Sequence, residues 1–143
     1  MAIKGRKTCD WLLLVLFILT GISGIKLHVI SHGNSFIDHQ WFLWAWMHGL
    51  CSAVFIVLVI IHVIQHLPWY KALNKKSPTK KLRVRKFAII TTDVLFGLLL
   101  ISGICLLFPF AEFVLLGKVH YILGLMSIAF GLGHILKRVK MLK

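Results

Sequence analysis

The chain is 143 residues long, 59% hydrophobic, and carries seventeen basic residues against four acidic ones, for a formal net charge of +13. A chain with a mean hydropathy of +0.88 has too little polar surface to cover a water-facing domain of its size, so a soluble enzyme or soluble binding module is excluded. The charge does not indicate nucleic acid as partner, because it gathers beside apolar runs instead of forming a stripe of its own.

Four apolar runs are long enough to cross a bilayer: residues 11–30, 44–66, 87–108 and 114–136. They predict an all-α fold, an integral membrane four-helix bundle formed by residues 1–143 as one domain. The first run follows Lys4, Arg6 and Lys7 but exceeds the apolar core of a secretory signal, so it is read as a retained helix. Asp10 stands at its start, where a carboxylate caps helix amides, and Thr20-Gly21-Ile22-Ser23-Gly24-Ile25 lies in its later part. His28, His32 and His39 follow near Lys26 and Asp38, in what is expected to be an outer connection. Their plain reading is solvated loop histidines; the sharper one is a metal or proton-relay site.

The second run opens with Trp41, Trp44 and Trp46, carries Cys51, His48 and His62, and ends near His66, Trp69 and Tyr70. Indole and phenol rings at both edges match a membrane interface. Residues 67–86 form a basic loop whose cations attract anionic lipid headgroups. The third run has Asp93, read as a cap like Asp10, then Gly97, Ile101-Ser102-Gly103-Ile104 and Cys105; the fourth has His120 and His134, with Arg138 just beyond. Cys9, Cys51 and Cys105 form no CxxC or CxxCH pattern, so neither zinc binding nor covalent heme attachment is indicated.

Fifteen of the seventeen cations fall before the first run, between the second and third, or after the fourth. By the positive-inside rule that face, both termini and the loop 67–86 are cytoplasmic, in a membrane expected to be the bacterial cytoplasmic one. The chain also reads as two duplicated helical hairpins. Ile-Ser-Gly-Ile recurs in the odd helices, and a shift of 72 residues carries His48 onto His120 and His62 onto His134.

Each even helix thus holds two histidines fourteen residues apart. Fourteen helical residues rise about 21 Å and return close to the same face. With the two helices parallel, His48 and His120 share one depth near the outer face and His62 and His134 another near the inner face. Intramembrane ionisable groups are costly without partners, and an iron bound by two imidazoles supplies one. A di-iron carboxylate site lacks its acids, and zinc lacks three or four converging ligands. The expectation is two heme b groups, one on each pair, set against a heme-free histidine network. Gly24 and Gly103 give the macrocycles room, while His66 and Arg138 at the inner rim suit the propionates.

The repeated His-x13-His step resembles the di-heme core of cytochrome b in the quinol:cytochrome c oxidoreductases. The four-helix format is similar to cytochrome b561-like proteins and to a group of small bacterial four-helix membrane proteins. The resemblance covers nearly the whole chain and rests on the four histidines and the Ser-Gly pairs. It implies that His48, His120, His62 and His134 are axial iron ligands. The chain departs from the larger cytochromes b in lacking their paired glycines at a fourteen-residue step and their quinone-site motifs, so quinol chemistry does not carry over from them.

The function expected is electron transfer across the bilayer between quinol or a redox partner on one side and an acceptor on the other. The alternatives are a heme-bearing membrane anchor of a larger oxidoreductase and a heme-free membrane scaffold. No flavin, nicotinamide or iron–sulfur motif is present, so a separate redox protein or a quinone is the expected partner.

Overall fold

A computed structural model of the chain describes residues 2–33, 39–75, 79–108 and 113–139. Among the described residues there is no strand, and four long helices account for nearly all of them: α1 (Ala2–Gly33), α2 (His39–Lys75), α3 (Lys80–Cys105) and α4 (Phe113–Val139). All four are long and apolar enough to cross a membrane. Contacts divide the chain into two compact units, residues 1–77 and 78–143.

In the first unit α1 packs against α2 as an antiparallel pair. Trp41 Nε1 donates to Ser31 Oγ at 3.1 Å near the connection. Phe17 meets Phe55 midway, with ring centroids 6.3 Å apart, and Cys9 Sγ lies 3.8 Å from the Leu58 carbonyl at the far end. In the second unit α3 packs against α4, with Leu95 and Ser102 buried on α3 and Ser127 buried on α4.

The helices outrun the apolar segments that define them. Lysine and arginine are strong helix formers, so α1 begins among Lys4, Arg6 and Lys7, and α2 continues to Lys75 although Pro68 withholds one amide. The connection expected over 67–86 is therefore mostly helix, with α3 starting at Lys80 behind Thr79. That residue has φ −71° and ψ 155°, and its Oγ1 accepts from the Leu82 amide at 3.3 Å.

This corrects the roles read for Asp10 and Asp93. Both lie inside helices, well past the first turn where amides need caps. The outer connection is shorter than expected too: His28 is part of α1 and His39 opens α2, instead of both lying in a loop. Residues 34–38, including Asp38, lie outside the described residues, as do the side chains of His32 and Arg138.

The side chains are distributed in an unusual sense. The buried apolar residues described are Cys9 and Leu95, while Ser23, Ser102 and Ser127 are buried polar ones. Trp11, Ile18, Trp46, Leu50, Ile60, Ile101, Ile122 and many others of their kind point outward along all four helices.

Candidate functional site

Each unit builds the same small structure around one histidine. In the first, the Ser23 side chain is fully buried and its hydroxyl donates to the Thr20 carbonyl one turn back, at 3.1 Å. Nδ1 of His48, reaching across from α2, lies 3.1 Å from Ser23 Oγ and 3.2 Å from the same Thr20 carbonyl. A carbonyl oxygen only accepts, so the ring proton resides on Nδ1, and any bond from this imidazole to a metal runs through Nε2. Gly24 lets the ring come this close: a Cβ there would stand 3.1 Å from His48 Cε1.

The second unit repeats the arrangement with Ser102, Gly103 and His120. The Ser102 hydroxyl donates to the Leu99 carbonyl at 3.0 Å and receives the Nδ1 proton of His120 at 2.9 Å. A Cβ on Gly103 would again stand 3.1 Å from the ring Cε1. Gly97, also on α3, has nothing within 4 Å of the corresponding position, so it does not share this function within its unit.

The other end of α2 has a different partner. His62 Nδ1 lies 3.0 Å from Asp10 Oδ1, with both side chains mostly buried. The two atoms meet as an ion pair by distance and not as an aligned hydrogen bond, so this contact does not fix the tautomer of the ring. The His66 ring stands one turn on, 4.6 Å from that of His62 between centroids. One donor atom each from Asp10, His62 and His66 lie within 4.8 Å of one another, a two-histidine, one-carboxylate set of the kind that divalent transition ions use. His134 lies in α4 fourteen residues beyond His120 and is exposed.

These features suit a group bound by imidazole through Nε2. Two of the four histidines expected as ligands, His48 and His120, have Nδ1 engaged by an acceptor, the arrangement that orients a ligating ring and raises its basicity. The Ser-Gly pairs were legible in the sequence as repeats. Asp10 was not legible as a histidine partner, because nothing local to it in sequence registers a residue on the neighbouring helix.

No family model, no curated protein and no solved structure matches this chain.

Proposed function

We propose that the chain is an integral membrane di-heme b-type cytochrome, a four-helix bundle built from two duplicated hairpins. In this reading His48 and His120 would hold one heme iron, and His62 and His134 the other. The observation that carries it is the recurrence, in two separate units, of a glycine-seated histidine whose Nδ1 proton is taken by a buried serine. One such contact is ordinary helix packing; its repetition around both members of an expected ligand pair points to a shared demand on the ring.

The side-chain distribution supports the membrane part of the proposal. Large apolar residues face outward and small hydroxyl residues face inward, which suits hydrocarbon surroundings, where helices associate through small residues and buried polar contacts. The distribution of the cations supports an orientation with both termini and the segment between α2 and α3 on the cytoplasmic side, where they would meet anionic lipid.

Heme, when bound, supplies one-electron redox chemistry, and two of them let the chain carry electrons between quinol or a redox protein on one side and an acceptor on the other. The chain's own residues do four things. His48, His62, His120 and His134 ligate; Ser23, the Thr20 carbonyl and Ser102 fix ring orientation and tautomer; Gly24 and Gly103 admit the rings; His66 and Arg138 are cationic or hydrogen-bonding groups for propionates.

The test is a reduced-minus-oxidised spectrum with heme quantification on the purified chain and its single His→Ala variants. Two b hemes per chain are expected, one lost on removing His48 or His120 and the other on removing His62 or His134. Retention of both hemes in all four variants overturns the assignment.

A second reading rests on the Asp10, His62 and His66 cluster: a non-heme divalent ion held at that end of the first unit. Stoichiometric zinc or iron without porphyrin, lost from both His62→Ala and His66→Ala, would select it.

A further inference from the structure

Building on the reading of His62 as an iron ligand, we propose that Asp10 is a positioning residue that makes the two hemes unequal, holding the one on His62 at the lower midpoint potential. The two ends of α2 set the same imidazole nitrogen beside different groups. His48 gives its Nδ1 proton to a hydroxyl and a backbone carbonyl, both neutral, and His120 gives its own to a hydroxyl. His62 faces a carboxylate at 3.0 Å.

A negative charge this close to a ligand ring, in surroundings of low dielectric, stabilises the more highly charged state of a metal that the ring would hold. The oxidised iron would be favoured, so its potential would fall. The neutral groups beside His48 and His120 carry no such charge.

A further observation bears on Asp10. It stands inside α1, within the apolar stretch Lys7–Ser31, where a carboxylate is costly and a helix needs no cap. The shift of 79 residues that carries Ser23-Gly24 onto Ser102-Gly103 carries Asp10 onto Ile89, one turn before Asp93, the carboxylate of the second odd helix. The basic flank of α1 opposes the effect, but the Lys7 side chain is exposed and screened by salt, while the carboxylate contacts the ligand ring itself. At equilibrium the electron is therefore biased away from the Asp10 end of the helix pair and toward the Ser23 end.

Spectroelectrochemical titration of the purified heme-loaded chain tests this. Asp10→Asn, which keeps the shape but removes the charge, is expected to retain two hemes and raise the lower midpoint by about tenfold in equilibrium constant, about 59 mV for one electron. The higher midpoint should stay in place, and Asp10→Glu should restore the lower one. Two variants that leave Asp10 untouched check the assignment independently. His62→Ala should leave only the higher-potential heme, and His48→Ala only the lower. Unmoved midpoints in Asp10→Asn, or a lower-potential heme surviving in His62→Ala, overturn this inference while leaving the di-heme reading intact. A wild-type chain with no Soret band overturns both.

Discussion

Nδ1 of His120 lies 2.9 Å from the hydroxyl of Ser102, whose own proton goes to the Leu99 carbonyl at 3.0 Å. The serine is thus fully used, one bond to its own helix and one to the neighbouring one. His48 has the Thr20 carbonyl as an acceptor in addition to Ser23.

Removing an outer hydrogen-bond partner of a metal ligand costs roughly 10–100-fold in affinity. Ser102→Ala and Ser23→Ala are therefore each expected to weaken heme binding by up to that range. Hemin titration of the two variants, read at the Soret band, gives the comparison; wild-type affinity in both would contradict it.

The glycines make a steric prediction. Gly24→Ala and Gly103→Ala each place a Cβ 3.1 Å from a ring carbon, so the imidazole must shift by a few tenths of an ångström. Both are expected to lower heme occupancy and broaden the spectrum. Gly49→Ala, with nothing within 4 Å, should bind heme normally and stabilise α2 by ~1 kcal/mol through helix propensity. Thermal melts alongside heme quantification separate the two effects.

Ser127 is buried at 2% exposure, and its hydroxyl has no hydrogen-bond partner among the described residues. An unsatisfied buried hydroxyl costs about 1–3 kcal/mol. Ser127→Ala is therefore expected to leave the chain at least as stable as wild type, by ~1 kcal/mol or more, with unchanged heme content. A lowered melting temperature would show that the hydroxyl has a partner after all.

His62 and His66 lie one turn apart, and only His62 contacts Asp10 at 3.0 Å among the ion pairs described. His62→Ala is expected to lose one heme, whereas His66→Ala keeps both with weaker retention of one. Complete loss of a heme in His66→Ala alone would exchange their roles.

The proposed membrane orientation rests on the positive-inside rule and is tested by reporter fusions. Fusions after Lys76 and at the C-terminus should report cytoplasm, and one within residues 34–38 the opposite side.

How much of this was legible in the sequence depends on whether a feature is local. The four apolar runs, the fourteen-residue histidine steps and the Ser-Gly pairs are local patterns, since helical period and apolar length are read along one segment at a time. The helix ends were less legible. Lysine-rich flanks continue the helices where apolarity stops, which is why Asp10 and Asp93, taken for caps, lie in helix interiors. Only tertiary structure decided what holds each ring. Antiparallel packing brings Ser23 to His48 across 25 residues, Ser102 to His120 across 18, and Asp10 to His62 from the opposite end of the hairpin. The register of two packed helices sets these contacts, because it alone determines which side chains meet at the same depth.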